Sequence, residues 1–226
     1  MHRGTIAAAA IAAFLVPAVP AKAAKPAVLA TGDSMIQYVD VALKRQLRKS
    51  ARVPSDARIS TGLSKTSFLN WPRHARAQAR RYHPRAVVVF LGANDGFPMR
   101  GRRCCGTRWR REYARRAGRM MDAYRRQGVR RVYWLLLPQA RDGDFRRIYP
   151  AVNAGVRLAA NRRRKRVRIL KLNKVFTPRG RYRDSMRYRG RLIRVRQADG
   201  IHLSPAGATI AARFTVRRIR RDRVLR

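Results

Sequence analysis

Short apolar segments that end at glycine or proline alternate along this chain with longer amphipathic segments, and this alternation constrains the fold most. The clearest apolar segment is AVVVFL at 86–91, a continuous β-branched run typical of a strand buried on both faces of a parallel sheet. The longest amphipathic segment, 107–127, puts one stripe of residues on a single helical face: Trp109, Tyr113, Ala117, Met120 and Tyr124. Strands that alternate with helices of this length predict βαβ units.

The other segments complete an α/β pattern with five strands. Strands are predicted at 27–31, 58–61, 86–91, 129–137 and 167–172. Helices are predicted at 36–47, 71–82, 107–127 and 149–163, and after Ser204, which is an N-cap followed by proline. Segment 173–198 is basic and rich in tyrosine, and we interpret it as a long loop or a hairpin near the site. The pattern predicts a three-layer α/β sandwich, and the length suits one domain.

The first 23 residues have the features of a signal peptide rather than of a folded element. Arg3 precedes an apolar, alanine-rich segment at 5–19, and Ala21-Lys22-Ala23 has the small residues before a cleavage site. The alternative is an uncleaved amphipathic N-terminus. We therefore expect residues 24–226 to form the mature domain, secreted or held in the cell envelope. No later apolar run is long enough to span a bilayer, so an integral membrane protein is not expected.

The charge of the chain predicts association with polyanions. Fifty-five Lys and Arg oppose 11 Asp and Glu, a formal net charge of +44. Such a chain accumulates at acidic wall polymers, anionic lipid head groups or nucleic acid. Export favours an envelope surface, and the arginines are spread along the chain without a zinc finger, a zipper or a ribonucleoprotein motif. A specific nucleic-acid reader is therefore not expected. Nucleotide-driven enzymes are also disfavoured, because phosphate-binding glycine motifs are absent.

Polar residues cluster where the predicted strands end. Gly32-Asp33-Ser34-Met35 follows the first strand, Gly62 the second, and Gly92-Ala93-Asn94-Asp95 the third; Asp199-Gly200-Ile201-His202 precedes the last helix. Ligands of open parallel sheets bind outside the carboxyl ends of the strands. The four segments would therefore bring a hydroxyl, a backbone N–H, a carboxamide, and a carboxylate with an imidazole to one edge, which are the groups that acyl transfer requires.

Each of these groups has an expected role. Ser34 is the candidate nucleophile, and we expect it to begin a helix whose positive end faces the oxyanion. His202 is the candidate base, and Asp199, three residues earlier, can hold the other ring nitrogen and fix the tautomer. Gly62 can present a backbone N–H, and Asn94 a side-chain N–H. Together with the N–H of Ser34 they would form an oxyanion hole.

The four segments resemble the blocks of the SGNH hydrolases, also called GDSL-type esterases and lipases, and they occur in the order of that family. The resemblance implies a flavodoxin-like α/β/α fold with a five-stranded parallel sheet. It also implies Ser-His-Asp ester hydrolysis without a metal or a cofactor. Two departures are visible: Met35 replaces the usual leucine, and the glycine block is recognisable only as the lone Gly62.

These features predict an exported serine esterase that removes an acyl group from an envelope glycan or lipid. Water or a sugar hydroxyl can be the acceptor, so hydrolase and acyltransferase both stay open. Loops 97–108, 139–147 and 179–196 carry several arginines, which suits an anionic substrate that bears an ester. The alternative, of a different class, is a non-catalytic envelope protein that keeps this fold and binds polyanions.

The remaining reactive side chains have structural interpretations. No group of His, Cys and Asp has the spacing of a metal site. Cys104 and Cys105 are adjacent, in the loop after Asn94, and in an exported protein we expect a vicinal disulfide or an intermolecular bond. Asp33 and Asp95 are interpreted as turn and cap carboxylates.

Overall fold

The computed structural model describes residues 24–226, so the predicted signal peptide at 1–23 lies outside the described residues. The elements in chain order are β1 (Ala27–Gly32), α1 (Val39–Leu47), β2 (Ser55–Ala57), α2 (Trp71–Tyr82), β3 (Pro84–Phe90), α3 (Thr107–Arg126), β4 (Arg131–Leu135), α4 (Phe145–Asn161), β5 (Val167–Leu170), α5 (Leu172–Phe176), β6 (Ser185–Tyr188), β7 (Arg191–Arg194) and α6 (Pro205–Arg221). No helix of this part of the chain is long and apolar enough to cross a membrane.

Five parallel strands form the central sheet in the order β2-β1-β3-β4-β5. This is the flavodoxin-like order, in which the chain reverses its direction across the sheet after β2. Because βαβ crossovers are right-handed, this reversal puts the helices on both faces. Helix α1 packs against α6, while α3 packs against both α2 and α4. The predicted three-layer α/β/α sandwich is therefore confirmed.

The core is built from the segments with the clearest patterns. Every residue of β3 after Arg85 is buried, as expected for a central parallel strand. The predicted stripe of α3 is buried from end to end, and Trp109 stacks on Tyr113 with ring centroids 5.1 Å apart. Strand β4 adds Tyr133 and Trp134, both fully buried.

The predicted second strand at 58–61 is wrong, because the edge strand β2 lies at Ser55–Ala57, where it pairs with β1. An edge strand of small and polar residues shows no hydrophobic periodicity, so the pattern could not locate it. Residues 58–61 form a turn instead: the Thr61 N–H donates to the Arg58 carbonyl at 3.4 Å, and Ser60 has a φ of 60°. The fourth strand is also shorter than predicted at both ends.

Ser34 does begin a helical turn, as predicted, but this turn is much shorter than the predicted helix and is separate from α1. Ser34–Ile36 is a single 3-10 turn, and α1 starts separately at Val39. Tyr38, with a φ of 60°, interrupts the helical path between them. The expected dipole of a long helix is therefore missing at Ser34, and only the N–H groups of one short turn can act on an oxyanion there. Segment 173–198, left open between a loop and a hairpin, contains the antiparallel hairpin of β6 and β7.

Candidate active site

Ser34 lies just after β1, where the chain leaves the sheet at the carboxyl end of that strand. Gly32, the last residue of β1, has a φ of 155°, and a Cβ atom there would lie 1.8 Å from the Phe90 carbonyl oxygen. No side chain fits such an approach, so glycine allows β1 and β3 to end side by side. The Ser34 hydroxyl thus stands at the point where the strand order reverses, the usual ligand position in this topology.

Asp33 anchors this turn to the neighbouring strand. Its side chain is fully buried; Oδ1 accepts the Met35 N–H at 3.0 Å, and Oδ2 accepts those of Gly92 and Ala93, both at 2.8 Å. Burial raises the pKa of Asp33 to about 6, although these three hydrogen bonds oppose the rise. The interpretation as a cap carboxylate is right for the 3-10 turn, and the carboxylate also joins the ends of β1 and β3.

The structure brings Ser34, His202 and Asp199 together across 168 residues of chain. The Ser34 Oγ lies 2.8 Å from the His202 Nε2, and the His202 Nδ1 lies 2.6 Å from the Asp199 Oδ2. The loop is also fixed within itself, because the Asp199 Oδ1 accepts the N–H groups of Ile201 and His202 at 2.7 and 3.0 Å. A carboxylate on Nδ1 leaves Nε2 free to accept a proton from the hydroxyl.

The electrostatics of Asp199 suit this arrangement. Burial raises its pKa, but hydrogen bonds from the His202 ring and from two backbone N–H groups outweigh that effect, and the net pKa lies below its usual value. Asp199 is therefore ionised at neutral pH and can stabilise a positive charge on the ring. The carboxylate is partly open to solvent, with 40% of its side chain exposed.

The two other segments named from the sequence contact each other, and Asp33, next to Ser34, holds the start of the second one through Gly92 and Ala93. The Asn94 Nδ2 donates to the Thr61 carbonyl at 3.2 Å, which ties the β3 loop to the glycine that follows. A Cβ atom on Gly62 would lie 2.4 Å from the Asp95 Oδ1, so only glycine fits this approach. Within residues 24–226, the N–H groups of Ser34 and Gly62 donate to no acceptor. Two backbone donors and one carboxamide are therefore available at this edge.

Residues 27–218 match the model of a family described as "Protein of unknown function (DUF459)". The chain belongs to the DUF459 family. No curated protein matches the DUF459 chain.

Several solved structures share the fold of this DUF459 protein. LAE5, an alpha/beta hydrolase enzyme from the metagenome of Lake Arreo, Spain, matches with a TM-score of 0.55 and 15% identity, over 87% of this chain and 95% of that one. A carbohydrate esterase family 2 enzyme from Corynascus thermopiles matches with a TM-score of 0.54 and 14% identity, over 89% and 68%. The C-terminal catalytic domain of peptidoglycan O-acetyltransferase A from Streptococcus pneumoniae matches with a TM-score of 0.50 and 14% identity, over 88% and 94%. The resemblance to the SGNH hydrolases is thus confirmed at the level of the fold.

Asp95 of the DUF459 chain connects three elements beneath the site. Its Oδ1 accepts both the N–H and the hydroxyl of Ser64, at 2.6 and 2.7 Å, and its Oδ2 accepts the Tyr113 hydroxyl at 2.6 Å. Burial raises the pKa of Asp95, against these hydrogen bonds. The sequence interpretation of Asp95 as a cap carboxylate understates this role, because contacts with Tyr113 on α3 depend on packing that the local sequence does not encode.

Sequence reasoning missed Arg196, which holds the histidine loop from behind. None of its surface is exposed, yet within residues 24–226 no carboxylate lies within ion-pair distance of it. Its Nη1 donates to the Ile201 carbonyl at 2.6 Å and its Nη2 to the Gln139 carbonyl at 2.7 Å. The guanidinium also lies 5.5 Å from the centre of the Tyr182 ring. Among 47 arginines, no sequence signal separates this one from the exposed ones.

Two further observations concern the surroundings of the site. Cys104 and Cys105 form a disulfide with each other, so the structure has the vicinal pairing and not the intermolecular one. Among residues 24–226, no group of three or more His, Cys, Asp or Glu side chains is arranged to hold a metal ion.

Proposed function

We propose that this protein is a serine esterase that cleaves or transfers the acyl group of a carboxylic ester. One observation carries the proposal: the continuous hydrogen-bonded path from the Ser34 Oγ through both ring nitrogens of His202 to Asp199, with links of 2.8 and 2.6 Å. A serine hydroxyl becomes a useful nucleophile only when a positioned base accepts its proton. The fold shared with esterases and with an acetyltransferase domain agrees with this chemistry.

Acylation follows from this geometry. The Ser34 Oγ attacks the ester carbonyl carbon while its proton moves to the His202 Nε2, and Asp199 stabilises the resulting imidazolium through Nδ1. The tetrahedral intermediate collapses when the bond to the alcohol oxygen breaks. The proton on His202 passes to that oxygen, so the alcohol leaves neutral and Ser34 carries the acyl group.

Deacylation reverses the roles. Water, or the hydroxyl of a sugar, gives its proton to the His202 Nε2 and attacks the acyl carbon, and the proton then returns to the Ser34 Oγ. With water the product is a free acid, and with a sugar hydroxyl it is a new ester. The same three side chains serve both outcomes, so the acceptor that reaches the acyl-enzyme decides between them.

The oxyanion of each intermediate has three donors available. These are the backbone N–H groups of Ser34 and Gly62 and the side-chain Nδ2 of Asn94, whose other hydrogen bond fixes it to the Thr61 carbonyl. Donors that are fixed before the reaction stabilise the developing negative charge without reorganisation. Each such donor lowers the activation free energy by about 3 kcal/mol.

The surroundings of the site favour an anionic substrate. Segments 139–147 and 179–196 carry several arginines, and Arg141 lies against the histidine loop, where its N–H donates to the Gly200 carbonyl and its guanidinium to the Ala198 carbonyl. On the side of Gly62 and Asn94, the Lys65 ammonium lies 4.4 Å from the centre of the Phe68 ring and 4.8 Å from that of Phe97. Both residues are exposed, Phe68 more than Phe97, so they present an apolar surface beside a cation. An acylated envelope glycan or lipid with a negative charge has the matching chemistry.

The proposed setting is the outside of the cell membrane, where the predicted signal peptide at 1–23 would direct the chain. The competing function is a protein with this fold that binds polyanions without catalysis. The two differ in one measurable property, which is whether any serine of the folded chain is activated.

Labelling with a fluorophosphonate distinguishes these functions. We expect one adduct per chain, mapped by peptide mass spectrometry to Ser34, because fluorophosphonates react with serines whose proton a base accepts. The His202→Ala variant and heat-denatured protein serve as controls and should remain unlabelled. Native protein that stays unlabelled, yet adsorbs to wall polymer, would contradict the esterase proposal and support the non-catalytic function.

Activity should rise from acid toward neutral pH. The rate to measure is kcat/KM for an uncharged short-chain ester, because the His202 Nε2 must be free of a proton to accept the one from Ser34. Asp199 has a lowered pKa and stays ionised over this range. Asp33 has a pKa of about 6 and can titrate in the same range. Near-UV circular dichroism is therefore the control for packing, and a flat rate profile would count against His202.

A further inference from the structure

Basic residues concentrate at the end of the domain opposite Ser34. The helices run antiparallel to the strands, so the helix C-termini meet at the amino edge of the sheet, where we define the basic end as segments 48–52, 80–85, 125–131, 162–168 and 218–226. These five segments contain 21 Lys and Arg residues and one acidic residue, Asp222. Basic residues that are far apart in the sequence therefore lie together at one end of the folded domain.

Direct contacts show that the segments of the basic end adjoin one another. The Arg52 guanidinium donates to the Tyr82 carbonyl at 2.9 Å, and the Arg130 N–H donates to the Arg85 carbonyl at 3.0 Å. The Arg131 guanidinium donates to the Lys165 carbonyl, which joins the turn after α3 to the turn after α4. The surface therefore extends across the amino edge of the sheet from β2 to β5.

Two carboxylates neutralise only a small part of this surface. Asp222 lies 3.0 Å from Arg218 and within 4 Å of Arg131 and Arg168. Asp122, at the rim, binds Arg163 through both carboxylate oxygens. The other acidic side chains in residues 24–226 are those of Asp33, Asp40, Asp56, Asp95, Glu112, Asp142, Asp144, Asp184 and Asp199, and they belong to the half of the domain that carries the site.

The basic end also contains concave surfaces that a chain-like ligand can enter. A hollow of about 470 Å³ lies between the ends of α1 and α6, where Arg48, Lys49, Arg220 and Arg223 line it over an apolar floor that includes Ile219. A second hollow of about 490 Å³ lies between the end of α3 and the basic turn at 162–166. Arginine in such positions matches phosphate oxygens with two parallel hydrogen bonds.

We propose that the basic end is a docking surface for a flexible, base-free phosphodiester polymer, which it binds while the Ser34 edge faces away. The inference is independent of the chemistry at Ser34. A bilayer is a poorer match, because the large exposed apolar side chains of the described chain, such as Phe68 and Leu192, all lie outside the five segments. A nucleic acid is a poorer match because these segments contain no Phe or Trp, the Tyr82 ring is half-buried, and only the small ring of His83 is exposed for stacking on bases.

The test compares two triple variants of the full mature chain. Arg162→Gln/Arg164→Gln/Lys165→Gln removes three exposed cations from the basic end, and the matched control Arg73→Gln/Arg76→Gln/Arg111→Gln removes three exposed cations outside it. The probe is poly(glycerol phosphate), with affinity measured against salt concentration. We expect the first variant to bind at least tenfold more weakly and its log-log salt slope to fall by about 2, whereas the control changes little.

A second measurement tests the orientation. Enzyme adsorbed on polymer-coated beads should turn over a soluble neutral ester at the rate of free enzyme, because the site faces away from the polymer. Equal weakening in both triple variants would overturn the proposal, as would competitive inhibition by the polymer. Tighter binding to phosphatidylglycerol vesicles or to duplex DNA than to poly(glycerol phosphate), at equal phosphate concentration, would also overturn it.

Discussion

Replacing Ser34 with Ala is expected to lower kcat/KM for a short acyl ester by about three to six powers of ten, without unfolding the protein. The side-chain oxygen makes a hydrogen bond with the His202 ring, and the turn itself is held by Asp33 through backbone groups. The substitution therefore removes the atom that attacks the carbonyl and leaves its support intact. The rate is measured with a chromogenic acetyl ester, and the melting temperature serves as the check on folding.

The matched control for this variant is Ser67→Ala. Ser67 is an exposed serine in the loop after Gly62, on the same side of the domain, and its hydroxyl has no hydrogen bond within residues 24–226. Turnover should be unchanged there. If Ser34→Ala retains the turnover of the original protein, the proposed mechanism is wrong, and hydrolysis must come from another group or from a contaminant.

Replacing Arg196 with Met is expected to give the second-largest loss. Two partly buried carbonyls, those of Ile201 and Gln139, lose the donor that satisfies them, and the buried guanidinium is removed, which destabilises the fold by about 2 to 4 kcal/mol. Because Ile201 adjoins His202, the imidazole also loses its position relative to Ser34. A displacement of about 1 Å is enough to lower kcat about 10- to 100-fold. KM for a small neutral ester should change little.

Arg183→Met is the matched control for this role of Arg196. The Arg183 guanidinium likewise donates to two backbone carbonyls, those of Phe176 at 3.1 Å and Val175 at 2.6 Å, but within residues 24–226 it makes no hydrogen bond to the loop that carries His202. It should lose stability and keep its kcat. Arg196→Lys retains the charge but cannot reach both carbonyls, so we expect an intermediate kcat. Equal kcat losses in the Arg196 and Arg183 variants would show that Arg196 acts only through stability.

The same physical cause explains which elements were predictable. Segment 86–91 is a continuous apolar run and segment 107–127 has one apolar stripe, so these hydrophobic patterns alone predict β3 and α3 nearly to their ends. The edge strand β2 buries little and pairs on one side only, which is why the prediction was displaced to 58–61. The start of α1 was misplaced because a single residue with positive φ, Tyr38, interrupts the helical path.

The candidate site divides in the same way. Ser34, Asn94, Asp199 and His202 were found because strand ends in a parallel sheet share one edge, a rule that needs only the order of the elements. Gly62 was weaker from sequence, and its reason is tertiary: its Cα packs against the Asp95 carboxylate. The distances between these groups depend on how distant segments pack, so no sequence pattern predicts them.

What the sequence determined by itself is the alternation of elements, the order of the four polar segments and the total charge, because each of these is encoded in local residue types and spacing. Only the tertiary structure decided that Arg196 is buried behind the histidine loop while other arginines gather at the opposite end of the sheet. The physical reason is that burial and charge density depend on which distant segments pack together. An arginine therefore becomes a support for the site or part of a docking surface through its neighbours in space.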